Sequence, residues 1–122
     1  MEKIRYAIAG SSGRMGRTLI EAVQQDPGAS LAAALEHGSS PFIGKDAGEL
    51  VGAPCGVKIT ADLDAALAVA DCLIDFTRPE GTLQHLEACR RHKVSLVIGT
   101  TGFSVQGKRA IEEAAQEIPV VF

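Results

Sequence analysis

Gly10-Ser11-Ser12-Gly13-Arg14-Met15-Gly16 follows directly on the apolar run Ile4-Arg5-Tyr6-Ala7-Ile8-Ala9. It opens a segment, Arg14–Gln25, in which Met15, Leu19, Ile20 and Val23 recur at helical spacing. An apolar run, a glycine turn and an amphipathic segment in that order predict a buried strand feeding a helix. The start of a helix carries unpaired N–H groups and a partial positive charge, and glycine lets the backbone approach an anion closely. The turn is therefore a candidate cradle for the pyrophosphate of a dinucleotide. Twenty residues past Gly16, Glu36 closes the run Leu31-Ala32-Ala33-Ala34-Leu35. An acid at that point is placed to accept from a pair of ribose hydroxyls.

Working outward, the same alternation fills the chain. Further strands are expected at Ser30–Leu35, Gly56–Thr60, Cys72–Phe76 and Ser95–Ile98, with a last one beginning at Pro119-Val120-Val121-Phe122. Helices are expected at Leu63–Val69, capped by Asp62, from Pro79 to about His92, and at Val105–Glu117, capped by Ser104. Pro79 suits a first helical position, with Glu80 beside it in the first turn. Residues 37–56 hold five glycines and two prolines and read as a loop with one helical turn at Asp46–Leu50. Strand–helix alternation of this kind predicts an α/β, Rossmann-type, doubly wound and mostly parallel sheet with helices on both faces, one domain over 1–122. Val-Val-Phe lies within what reads as a buried strand, so the chain is expected to be the first part of a longer protein.

Composition narrows the class. The 122 residues are 46% hydrophobic but only 4% aromatic, so the core is expected to be Ala, Val, Ile and Leu, which suits helices lying close on a parallel sheet. A net charge of −3 without a basic cluster argues against nucleic acid. No apolar stretch reaches the roughly 18 residues of a membrane helix. Met1-Glu2-Lys3-Ile4 enters a strand without the pattern of a signal peptide. Cys55, Cys72 and Cys89 are odd in number and widely spaced, which predicts reduced, mostly structural thiols and a cytoplasmic protein.

Three loops are expected to meet at one cleft. In a doubly wound sheet the first and fourth strands are neighbours at the switch point, so the loops at 10–16, 76–79 and 99–103 face the same crevice. Each also has an ordinary structural reading. Glycine turns connect strands to helices, Glu36 can be a solvated acid, and Thr77, Thr100 and Thr101 can serve as turn or capping residues. His37, His85 and His92 lack metal-ligand spacing, and the last two are expected on the surface of one helix. No nucleophile–base pair stands out, so no catalytic residue is assigned.

The segments Ala9–Gly16, Asp75-Phe76-Thr77-Arg78-Pro79-Glu80-Gly81-Thr82 and Val97-Ile98-Gly99-Thr100-Thr101-Gly102-Phe103 together resemble the N-terminal domain of the 4-hydroxy-tetrahydrodipicolinate (dihydrodipicolinate) reductases of lysine and diaminopimelate biosynthesis. Gly44-Lys45-Asp46-Ala47-Gly48-Glu49-Leu50 also fits. The resemblance implies a domain that binds NADH or NADPH. Gly10, Ser11, Ser12, Gly13, Arg14 and Met15 would hold the pyrophosphate, and Glu36 with His37 would face the adenine ribose. Phe76, Thr77, Gly99, Thr100 and Thr101 would lie along the nicotinamide half. It further implies a second domain beyond Phe122 that binds the small-molecule substrate, supplies its proton and builds a homotetramer. Many members carry Arg after the ribose-binding acid, where this chain has His37. Two other readings remain at this stage: the first half of a different two-domain dehydrogenase, and a stand-alone NAD(H)-sensing module.

Overall fold

The computed structural model describes residues 3–122. The elements are β1 (Ile4–Ala9), α1 (Arg14–Gln25), β2 (Ala29–Leu35), a 3-10 turn (Ala47–Val51), β3 (Ile59–Thr60), α2 (Leu63–Ala68), β4 (Cys72–Asp75), α3 (Pro79–His92), β5 (Ser95–Ile98), α4 (Val105–Ala114) and β6 (Val120–Val121). The six strands form one sheet in the order β3-β2-β1-β4-β5-β6. Every pairing between named strands is parallel. The chain order reverses between β1 and β4, where Ala9 lies opposite Asp75. This is a Rossmann-type fold with its switch point where the sequence pattern puts it.

Side-chain alternation along the strands builds one core on each face. On one face Ile8 and Ala34 pack with Ile20 and Val23 of α1 and with Ala47 and Ile59. On the other, Ala7, Ala9, Ala33, Leu35, Leu73 and Leu96 meet Leu67, Leu86, Cys89 and Ile111 from α2, α3 and α4. No aromatic residue is among the buried ones. The strand alanines allow the helices to approach closely. Burial also pushes the Cys89 thiol up to about 12, and all three cysteines are free.

The helix starts follow local chemistry. Asp62 accepts from the Ala65 N–H and Ser104 from the Gly107 N–H, and Pro79 stands at the first position of α3. Several boundaries differ from those expected. Met15 is 43% exposed, and Gly16 takes its place on the buried face of α1. The third strand is two residues, not five. Val57 accepts from the Ala47 N–H and Lys58 bridges Asp46 antiparallel, so the loop takes the hydrogen bonds that β2 would have offered. β4 ends at Asp75 because its carboxylate bends the chain by accepting from the Thr77 N–H. α4 stops at Ala114. There Gln116 and Glu117 bond back three residues and deliver Ile118 to the core. β6 is an edge strand rather than a buried one, with Val121 64% exposed.

No helix among the described residues is long and apolar enough to cross a membrane. Among those residues no group of three or more His, Cys, Asp or Glu side chains is arranged to hold a metal.

Candidate functional site

At the carboxyl ends of β1, β2 and β4 lies a cleft of about 780 Å³, lined by residues that include Gly10, Glu36, His37, Phe76, Thr77, Arg78 and His85. Gly10 of the glycine turn contributes to one wall, whereas Ser11, Ser12, Gly13, Arg14 and Met15 do not line the cleft itself. Gly10 has φ +69, a left-handed conformation that favours glycine. A Cβ on Gly16 would lie 2.1 Å from the Gly10 carbonyl oxygen, so only glycine lets α1 sit this close to the turn. Gly13 has φ −75 and caps α1 without a side chain. The N–H groups of Arg14, Met15 and Gly16 begin the helix with no carbonyl four residues back to receive them. The first turn contains no acidic side chain, so the positive end of the helix stands uncompensated within its own sequence.

Ser11 and Ser12 behave differently. Ser11 is fully buried. Its hydroxyl donates to the Ile8 carbonyl and its N–H to Leu35, so both groups hold the turn onto the strands. Ser12 turns toward the end of β2, and its N–H and hydroxyl both donate to Glu36 Oε2, at 2.9 and 2.6 Å. Glu36, its side chain only 8% exposed, is thereby drawn onto the glycine turn from the end of β2. His37 beside it is exposed, with Nδ1 2.8 Å from the Ser39 hydroxyl and Nε2 3.9 Å from Glu36 Oε1. Arg17 ties the turn from behind. Its Nε donates to the Ser12 carbonyl, and its guanidinium stands 5.6 Å from the centre of the Phe42 ring.

The opposite wall begins at Asp75, which has no solvent exposure. Its Oδ1 accepts from the Thr77 N–H and hydroxyl, at 2.9 and 2.6 Å, and its Oδ2 stands 2.6 Å from His85 Nδ1. Burial works against the Asp75 charge. The hydrogen bond and charge of His85, with the two bonds from Thr77, outweigh it and hold the carboxyl below its ordinary range. Phe76 is 40% exposed, and its ring lies on Gly99, where a Cβ would meet it at 2.0 Å. Thr100 turns inward, accepting from the Thr82 hydroxyl at 2.9 Å, while Thr101 is exposed. The 76–77 and 99–101 loops are thus in contact, but Gly99, Thr100 and Thr101 do not line the cleft itself.

His85 corrects the sequence reading, which placed it on the surface of α3. Its side chain is 17% exposed and reaches back to Asp75. The available signal was Asp75 itself: an acid ending an apolar, buried strand requires a partner. His92 Nε2 donates to Asp64 Oδ1 at 2.9 Å and, with Arg91, links α3 to α2.

A sequence profile described as "Dihydrodipicolinate reductase, N-terminus" matches residues 4–122. The chain belongs to that family. It is 65% identical over 118 residues to a protein named 4-hydroxy-tetrahydrodipicolinate reductase from Bordetella parapertussis, covering 97% of this chain and 44% of the relative. It is 60% identical over 122 residues to the protein of the same name from Laribacter hongkongensis, covering 100% of this chain and 46% of the relative. Among solved structures it is similar to dipicolinate-bound dihydrodipicolinate reductase from Paenisporosarcina sp. TG-14. That match has a TM-score of 0.73 and 27% identity, and covers 93% of this chain and 43% of that one. The chain therefore spans less than half the length of the relatives it matches.

Proposed function

We propose that this chain is the NAD(P)H-binding domain of a reductase that passes hydride to 4-hydroxy-tetrahydrodipicolinate in lysine and diaminopimelate biosynthesis. The observation that carries this reading is that Gly10 and Glu36 line one cleft at the switch point, with Glu36 held by Ser12 of the turn that leads into α1. The residues fit such a cofactor. The N–H groups of Arg14, Met15 and Gly16 at the start of α1 would hold a diphosphate, and Gly10 and Gly13 would leave room for it. Glu36 accepts hydrogen bonds where ribose hydroxyls would offer them, in place of the Ser12 donors it now holds. Thr77 and the Phe76 ring form the wall that would face the nicotinamide half, with Gly99 packed behind the Phe76 ring and Thr100 and Thr101 following it in the same loop. When bound, the reduced cofactor supplies the hydride.

No catalytic residue is assigned within this chain. The substrate site, the proton donor and the homotetramer interface are assigned to a further domain, and the whole protein to the cytoplasm. His37 follows Glu36 where an arginine would neutralise a 2′-phosphate, so NADH is expected to bind at least as well as NADPH. His37→Arg should raise NADPH affinity more than NADH affinity.

Calorimetric titration of the chain with NADH tests the cofactor role, and a steady-state assay with substrate tests the division of labour. Binding without turnover is the expected result, because hydride transfer requires both reactants held in near-attack geometry. Absence of NADH binding would contradict the first point, and clear turnover by this chain alone the second.

A further inference from the structure

Asp75 is the only carboxylate among the described residues that is wholly shielded from solvent. A buried charge needs partners, and removing one is costly. Two of its three donors, the N–H and hydroxyl of Thr77, come from the cleft wall it supports. The third, His85 Nδ1, comes from α3. His85 is the only ionic partner that Asp75 has among the described residues.

Thr77 is held from two further directions. A Cβ on Gly10 would lie 3.1 Å from its methyl group, and one on Gly81 would lie 3.2 Å from its hydroxyl and 4.0 Å from His85 Cε1. Two glycines thus leave the space in which Thr77 is wedged between the glycine turn and α3. The second ring nitrogen of His85 has no hydrogen-bond partner, and no buried side-chain nitrogen or oxygen is unsatisfied among the described residues. Nε2 therefore reaches the solvent of the cleft that His85 lines.

We propose that His85 is a positioning residue for the cofactor cleft: through Asp75 it fixes the Thr77 turn against Gly10, so that the wall is set before a dinucleotide arrives. Without the His85 donor, Asp75 Oδ2 is a buried carboxylate oxygen with no partner. It then regains one only by rotating or by admitting water, and either movement releases Thr77. A wall formed in advance binds more tightly because the ordering cost is not charged to the ligand. The proposal rests on the dinucleotide reading of the cleft. Glu36, His37, Arg78 and Glu80 line the same space, so variants compared at one pH isolate the effect better than a pH titration.

Calorimetry with NADH on the wild-type chain, His85→Leu and His85→Gln decides the matter. Leu removes the donor, whereas the Gln side-chain amide can still donate to Asp75. His85→Leu is expected to lose roughly tenfold or more in affinity. His85→Gln should stay within about threefold of wild type, because one hydrogen bond replaces another. Both should melt as cooperatively as wild type. Equal binding by His85→Leu and wild type, or equal loss in Leu and Gln, would overturn the proposal while leaving the dinucleotide reading intact. A wild-type chain that binds no NADH would overturn both. Should His85→Leu fail to fold, nitrogen-15 spectra of the wild-type imidazole still test the geometry. A proton on Nδ1, with the Thr77 amide signal shifting on NADH addition, is expected. An unprotonated Nδ1 would overturn it.

Discussion

The two walls of the cleft are made by opposite means. At Gly10–Gly16 the chain leaves side chains out. Gly10 takes a left-handed conformation, and Gly16 lets α1 press on the turn where a Cβ would stand 2.1 Å from a backbone oxygen. At Asp75–His85 the chain puts polar side chains in around one buried carboxylate, which Thr77 and His85 both hold. The first wall depends on spacing within seven residues. The second depends on a partner ten residues away and on how α3 docks. A steric wall fails when something is added, whereas a hydrogen-bonded wall fails when something is removed.

The largest effect should come from the steric wall. Gly16→Ala forces a Cβ into backbone that cannot yield, and the cost belongs at the upper end of overpacking, about 3 kcal/mol. Thermal unfolding should show a melting temperature lower by on the order of 10 °C. A variant that melts like wild type would mean that the turn adjusts freely and that its shape is not fixed by Gly16.

Gly13→Val separates ligand approach from folding. Gly13 has φ −75, which any residue adopts, and its Cβ would lie 3.3 Å from the Gly10 oxygen, a contact that small adjustments relieve. The protein should stay folded while NADH affinity falls by about tenfold, or about 1.4 kcal/mol. Normal NADH affinity in a folded Gly13→Val chain would reduce the turn to a connector.

Behind the hydrogen-bonded wall, Thr82→Val removes the donor to Thr100 inside a buried pair. Stability should fall by about 1 kcal/mol in denaturant titration. No change would mean that this pair does not hold the 99–101 loop.

The smallest effect lies outside both walls. Backbone N–H groups of Cys55 and Gly56 hold the Asp46 carboxyl down to about 2 from an ordinary value of 3.8; burial opposes them, and the Gly48 N–H adds a smaller lowering. The folded value is below the unfolded one. The contribution is therefore full above about pH 4 and disappears as pH falls toward 2. Asp46→Ala should melt below wild type at pH 6, and the gap should close over that acid range. A gap that stays constant with pH would show that the charge of Asp46 does not anchor the 37–60 segment.

The same contrast explains what the sequence made legible. Strand and helix limits such as Ile4–Ala9 and Arg14–Gln25 follow from apolar period, glycine and caps, all of them local signals. The neighbouring of β1 and β4 follows from the alternation rule. His85 did not, because helical position alone does not tell which way an imidazole turns until the buried charge of Asp75 is taken as a demand. Nor did the short β3, since Val57 and Lys58 pair with a loop whose glycines and prolines give no periodic signal. The inward turn of Ser11 and Thr100 was likewise invisible, because a hydroxyl beside a cleft reads the same whether it faces the ligand or the core.

The most direct test of the account is a titration of the nitrogen-15-labelled chain with NADH, followed amide by amide. The largest shifts are expected on Gly10, Ser12–Gly16, Glu36, Phe76, Thr77 and Thr101, with α4 and the 3-10 turn at Ala47–Val51 little changed. Shifts concentrated away from the ends of β1, β2 and β4, or no shifts at all, would contradict it.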